Sequence, residues 1–209
     1  MAEDQQPFSF TPEGGSATNS TKDYSGKGIA TYPNGDTYEG QYVNGIREGK
    51  GKYTYNPSGD KYEGEFLQNL KHGIGRLIYA NNKGEYYGQW EQGLRHGEGL
   101  YTYANKDVYS GQWSRGKKHG QGTYVFNDTA MRFRGTWNNN EIVDGEWIYP
   151  NGTVYRGPFQ HNKPNGVGRF EFANKNQVEG YYTQTIVPNA NPDDTTLNIQ
   201  LEWVTTKHY

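Results

Sequence analysis

The sequence predicts an all-β fold, an elongated single-layer antiparallel meander of tandem β-hairpin repeats. Three observations lead there. The first is a period: similar segments begin at Tyr38, Tyr62, Tyr86, Tyr109, Phe133 and Tyr155, with half-units opening at Gly26 (GKGIATYPNGDT) and closing from Val178 (VEGYY). From Tyr38 to Val178 the starts lie 24, 24, 23, 24, 22 and 23 residues apart, as when one supersecondary unit is copied in tandem. The second is an alternation of rings and glycines inside each unit, such as Tyr86, Gly88 and Trp90, then Gly97, Gly99, Tyr101 and Tyr103. A period of two is that of a strand. The third is composition: 32% hydrophobic residues but 15% aromatic, with 29 glycines in 209 residues. Aliphatic side chains are too few for a conventional core, yet disordered chains are depleted in aromatics.

Taken in order, residues 1–22 are rich in Gly, Ser, Thr and Gln and are expected as a flexible tail. Residues 23–182 form the repeat array. Each unit is a hairpin of two short strands, joined to the next at turn clusters such as PNGD (33–36), PSGD (57–60) and ANKD (104–107). Strand alternation places Tyr86, Gly88 and Trp90 on one face, and register joins them to Gly97, Gly99, Tyr101 and Tyr103, with Glu98, Leu100 and Thr102 opposite. Each glycine then leaves room for a neighbouring ring to lie over the backbone. Two strands per unit at about 4.8 Å each give a rise of roughly 9.6 Å, hence an array on the order of 60 Å long.

The fifth unit departs from the pattern. It has Asn140, Val143 and Asp144 where others have glycines, and Pro158 falls in the strand that follows. Drift at a tolerant place and a bend or partner-specific surface both fit. Residues 183–209 are a C-terminal extension in which Leu197, Ile199, Leu201 and Trp203 alternate as a strand. That strand either caps the array or pairs with another subunit.

Chemistry is sparse. There is no cysteine, and no segment approaches about 18 consecutive apolar residues. Net charge is -2, with -2 on each of 1–22 and 183–209 and therefore +2 between them. Near-neutrality argues against nucleic acid. His72, His96 and His119 recur at one repeat position, but equivalent positions should stand roughly 9.6 Å apart, too far to share a zinc ion. Arg47, Lys71, Arg95 and Lys118 recur just before that position. They read as a solvated strand edge, protected by charge and compensated by Glu48, Glu65, Glu91 and Glu98, in preference to a lipid-headgroup stripe. The Gly-x-Gly pairs enter strands, not helices, and lack a third glycine or a Gly-Lys-Ser/Thr. No nucleophile, base and orienter come together. Neither a catalytic, a metal nor a cofactor site is expected, and the chain is read as a non-enzyme.

With period and spacing in hand, a pattern of the form YxGxWxxGxxxGxGxYxY over about residues 24–182 resembles the membrane occupation and recognition nexus, or MORN, repeat. The segments YPNGDTYEGQYVNGIREGKGKYTY, LKHGIGRLIY and LRHGEGLYTY are similar to those of MORN proteins of the radial spoke head in motile cilia and flagella. That resemblance implies a structural scaffold in the axoneme, a cytoplasmic and cytoskeletal setting, and partners among other spoke-head proteins. A second MORN protein is one candidate, and contact with the central apparatus would be indirect. The protein-binding residues expected on the aromatic face are Tyr86, Trp90, Tyr101, Tyr103, Tyr109, Trp113, Tyr124 and Trp137. The alternative implied by other MORN proteins is a phosphoinositide- or membrane-associated adaptor. It would need a hydrophobic anchor or a polybasic cluster, and neither stands in this sequence.

Overall fold

The hairpin turns set the register. In the computed structural model, which describes residues 7–189 and 195–209, hairpins close on two residues that both have positive φ. Asn44–Gly45 (51° and 81°), Gln68–Asn69 (49° and 68°), Gln92–Gly93 (49° and 80°) and Asn139–Asn140 (49° and 78°) are examples. This left-handed pair matches the twist of the flanking strands and selects Gly or Asn. Asn140 thus does the work of the glycine it replaces.

The chain divides into two units, Met1–Gly116 and Lys117–Tyr209. In the first, β1 (Ser9–Pro12), β2 (Gly26–Thr31), β3 (Thr37–Val43), β4 (Ile46–Thr54), β5 (Lys61–Leu67), β6 (Leu70–Tyr79), β7 (Gly84–Glu91), β8 (Leu94–Tyr103) and β9 (Val108–Ser114) each pair antiparallel with the next. The second holds β10 (Lys117–Val125), β11 (Arg132–Asn138), β12 (Glu141–Ile148), β13 (Val154–Gln160), the short β14 (Lys163–Pro164), β15 (Gly166–Glu171), β16 (Gln177–Ile186) and β17 (Ile199–His208), again an antiparallel meander. Among the described residues there is no helix. The tandem-hairpin, single-layer reading therefore holds in each unit.

Successive hairpins are tied turn to turn. Asn69 N donates to Arg47 O at 3.1 Å while its Oδ1 accepts from Arg47 N at 2.9 Å, and Asn140 does the same with Lys118 at 3.1 and 2.9 Å. Gly93 N bonds Lys71 O at 2.9 Å. At the other end of the strands, Asp36 Oδ1 accepts from Asn56 N at 2.7 Å and Asp60 Oδ1 from Ala80 N at 2.8 Å. Asp36 is buried and also takes the Tyr53 hydroxyl at 2.6 Å. Burial pushes its carboxyl upward, but these hydrogen bonds outweigh that and hold it below its ordinary value.

A bulge interrupts the second strand of the repeats. In β7·β8, Gly88 pairs Gly99 and Gln89 pairs His96, so Gly97 and Glu98 are extra. The Glu98 amide is not lost, because Gln89 Oε1 accepts it at 3.1 Å; Gln41 and Glu65 serve Lys50 and Ile74 in the same way at 3.2 and 3.3 Å. The fifth unit has one residue fewer here. Thr136 pairs Asp144 and Trp137 pairs Ile142, leaving Val143 alone extra and removing the need for a glycine at positive φ. Pro158 stands opposite Asp144 as the last pair of β12·β13, where a missing N–H is tolerated.

Both termini depart from or sharpen the sequence reading. The flexible tail expected over 1–22 is corrected for part of its length, since β1 pairs with β2 and Phe10 is 2% exposed. Phe10 lies over Gly28, where an added Cβ would meet its Cζ at 2.5 Å, so burial of one ring orders the segment. Residues 1–6 lie outside the described residues. At the other end β17 pairs with β16 of its own unit, which is the capping arrangement. Trp203 covers Gly180, with Cζ2 2.6 Å from the Cβ site.

Candidate binding surfaces

Tyr38, Tyr62, Tyr86 and Tyr155, each leading a repeat, lie across a glycine pair. A Cβ on Gly99 would stand 2.5 and 2.6 Å from Cε2 and Cζ of Tyr86, and the Tyr86 hydroxyl donates to Gln89 O at 2.9 Å. Tyr38, Tyr62 and Tyr109 bond the carbonyl three residues on in the same way. The other leading rings bridge repeats: Trp90 Nε1 donates to Gly75 O at 3.0 Å and Trp113 Nε1 to Gly99 O at 3.3 Å. In the first unit this produces an edge-to-face series, Phe10–Tyr42–Tyr38–Phe66–Tyr62–Trp90–Tyr86–Trp113–Tyr109, with centroids 5.0 to 5.4 Å apart. Edge-to-face contact is the favoured geometry for aromatic quadrupoles. Burial drives the phenol pKa upward at Tyr86 and Tyr109, and to about 12 at Tyr38.

The expected binding set is therefore divided. Tyr86, Trp90, Tyr109, Trp113 and Trp137 are at most 5% exposed, so they form the core and present no surface to a partner. Tyr101, Tyr103 and Tyr124 are only half-buried and remain reachable. The face was assigned correctly but not its depth.

The basic ladder also needs correction. Register sets Arg47 opposite Tyr42, Lys71 opposite Phe66 and Arg95 opposite Trp90. The cations thus lie on the aromatic face, not along a solvated edge. Arg95 Cζ and Lys71 Nζ each stand 4.5 Å from an indole centroid, of Trp113 and Trp90 respectively, and Lys118 Nζ stands 4.4 Å from that of Trp137. Burial lowers the pKa of Lys71 and brings that of Lys118 down to about 8. Three of the acids expected to compensate them are engaged elsewhere, Glu48 on Gln68 N at 3.0 Å, Glu65 on Ile74 N at 3.3 Å and Glu91 beside His96 at 3.3 Å. Among the described residues no three His, Cys, Asp or Glu side chains are grouped to hold a metal.

The opposite face of the first unit carries what the sequence reading missed. A trough of about 730 Å³ crosses Gly28, Gly40, Gly51 and Gly64, bounded by Pro12 and Ile29 toward one end and Ile74 toward the other. Its walls mix Lys27, Lys50 and Lys52 with Glu39, Glu63 and Glu65; Lys52 and Glu63 approach to 3.5 Å. Ile29 and Ile74 are 51% and 43% exposed, and Tyr87 and Leu100 continue the apolar strip along β7 and β8 at 55% and 42%. The available signal was four large apolar residues out of phase with the tyrosines.

A model of the MORN repeat matches residues 24–37, 38–59, 62–83, 86–108, 109–131 and 155–177, passing over the shortened fifth unit. A search of curated protein sequences finds no match. Among solved structures, the chain is similar to the G-box domain of the microcephaly protein CPAP, at 12% identity and a TM-score of 0.47 over 86% of this chain and 87% of that one. It is also similar to the TCP domain of Drosophila melanogaster SAS-4 (dCPAP), solved with a proline-rich motif of Ana2 (dSTIL), at 13% identity and a TM-score of 0.40 over 85% and 83%. With tyrosine over glycine pair, bulge and left-handed turn recurring where that family model matches more than half of the chain, the protein belongs to the MORN-repeat family.

Proposed function

We propose that this chain is a non-enzymatic scaffold that seats extended segments of partner proteins in the trough of its first unit. The observation that carries the reading is the division of labour between faces. Five of the eight rings expected to bind are consumed by the core, whereas the trough offers apolar ends and charged walls of both signs without a catalytic constellation. Alternating Lys and Glu suit a polar peptide backbone with mixed-charge side chains. They suit an anionic lipid surface poorly, since the acids would repel it.

The setting proposed, from the sequence resemblance alone, is the radial spoke head of the ciliary or flagellar axoneme, with other spoke-head proteins as partners. Affinity isolation of the tagged chain from axonemes, followed by mass spectrometry, tests this. Recovery of spoke-head components that is lost in Ile29→Glu/Ile74→Glu supports it. Recovery of none, or headgroup-selective flotation with phosphoinositide vesicles at physiological salt, overturns it.

A further inference from the structure

We infer that the segment seated in the trough is a polyproline-II stretch with an acidic residue at every third position and a basic residue between, in the manner of Glu-Pro-Arg-Glu. The inference rests on the trough reading and names the chemistry of the occupant. The floor decides the conformation. It is crossed by β2, β3, β4 and β5, each paired on both sides, so its backbone groups are spent on the ladders. The extra amides at the bulges are taken as well, Lys50 N by Gln41 Oε1 and Ile74 N by Glu65 Oε1. A β-strand laid on such a floor would bury N–H and C=O groups with nothing to bond. Polyproline II keeps its backbone solvated, and each proline removes a donor outright.

The walls set the spacing. On this face the residues flanking each floor glycine stand up on either side of it. Lys27, Gln41, Lys50 and Glu65 follow one another along one wall, and Ile29, Glu39, Lys52 and Glu63 along the other. Lys52 and Glu63 neutralise each other at 3.5 Å, and Glu65 is turned to Ile74 N. Lys27, Lys50 and Glu39 remain. All three are exposed, and among the described residues their side chains hold no hydrogen bond or ion pair.

Lys27 and Lys50 stand two strands apart, about 9.6 Å, with Glu39 between them on the facing wall. A polyproline-II helix returns the same face every three residues, about 9.3 Å. A β-strand returns it about every 6.8 Å and falls out of step. An α-helix, about 10–12 Å across, is too broad for walls rooted on either side of a single glycine, about 6.8 Å apart. The three faces of the polyproline-II segment match the cross-section: its acids meet Lys27 and Lys50, the basic residue between them meets Glu39, and the last face looks out to solvent. Flanking prolines reach Pro12 and Ile29 at one end and Ile74 at the other. The five strand intervals from β1 to β6, about 24 Å, hold about eight such residues.

Fluorescence anisotropy of the full chain with labelled Pro-Pro-Glu-Pro-Arg-Glu-Pro-Pro tests this, against the same-composition control Pro-Pro-Glu-Arg-Glu-Pro-Pro-Pro, whose acids are two residues apart. Melting curves confirm that each variant folds. The first peptide should bind at least about threefold tighter than the control. Lys27→Glu and Lys50→Glu should each weaken it about tenfold, by turning an attraction into a repulsion. The double variant should prefer Pro-Pro-Lys-Pro-Arg-Lys-Pro-Pro. Equal affinity for the two spacings, or indifference to the reversals, overturns the inference. Failure of both peptides to bind also overturns it, and leaves the trough reading standing where spoke-head recovery is still lost in Ile29→Glu/Ile74→Glu. Spacing-selective binding without such recovery supports the inference and overturns the axonemal setting.

Discussion

Replacing Gly99 by valine tests the packing argument at its centre. Valine is the better strand former, so propensity alone predicts stabilisation. The structure predicts the reverse, because the new Cβ would lie 2.5 Å from Tyr86 Cε2. Tyr86 has nowhere to go: it is 0% exposed and meets Trp90 and Trp113 edge to face at 5.1 and 5.4 Å. Forcing atoms into such a site costs about 1–3 kcal/mol, and displacing the ring also breaks its 2.9 Å bond to Gln89 O, worth about 1 kcal/mol. The sum is about 2–4 kcal/mol. For a unit of this size that is a melting-temperature drop of about 8–16 °C. Leu100→Val, one residue along on the opposite face and 42% exposed, should stay within about 0.5 kcal/mol of the parent. Adding Tyr86→Phe removes the atom nearest the new Cβ, so the double variant should recover part of the loss and show a coupling of at least about 0.5 kcal/mol. Equal stability of Gly99→Val and the parent in thermal and urea melts would refute the reasoning.

Three further outcomes are expected. The folded carboxyl of Asp36 titrates below its usual 3.8, so its stabilisation is complete above that pH and disappears as pH falls through the lowered value; Asp36→Ala should cost about 1–3 kcal/mol at neutral pH and flatten acid denaturation curves. Lys118 titrates near 8 when folded against 10.5 unfolded, so the unfolded chain binds more protons in that window and this site's contribution to stability rises with pH across it; Lys118→Met should make urea midpoints rise less with pH, or fall more, than those of the parent from pH 8 to 10. Ile74→Glu, at a position 43% exposed, should leave the melting temperature within about 2 °C of the parent while abolishing partner recovery, whereas Tyr86→Ala should unfold the first unit at physiological temperature.

Much of this was legible because the repeat supplies the same information six times. Period two placed Tyr86, Gly88 and Trp90 together, and glycine's lack of a side chain announced a ring above it. What escaped depended on distances between strands. Arg95 reads as a solvated edge residue until the left-handed Gln92–Gly93 turn is known to set it opposite Trp90. Phe10 is one ring in a Gly/Ser/Thr-rich stretch, and nothing local says that Gly28 lacks a ring of its own. Face can be counted along a strand, but depth cannot, which is why Trp113 was expected at a surface and lies at 4% exposure. The trough escaped for a related reason. Ile29 and Ile74 are far apart in sequence and acquire meaning only when the intervening strands bring them to the two ends of one concavity.

The bridging rings carry a consequence for array length. Trp90 rests on Tyr62 of the preceding repeat, and Trp113 on Tyr86, so these repeats of the first unit begin contacts that their successors must finish. A purely repeating chain consequently has no stopping point: cut between two such repeats, and one side keeps an uncovered ring while the other keeps a ring with no floor. In this protein Gly28 is covered by Phe10 and Gly180 by Trp203, two rings borrowed from segments that do not repeat. Each of these glycines is thus covered by a ring from outside the repeats. Deleting β1 would uncover Gly28 in the first unit, and deleting β17 would uncover Gly180 in the second.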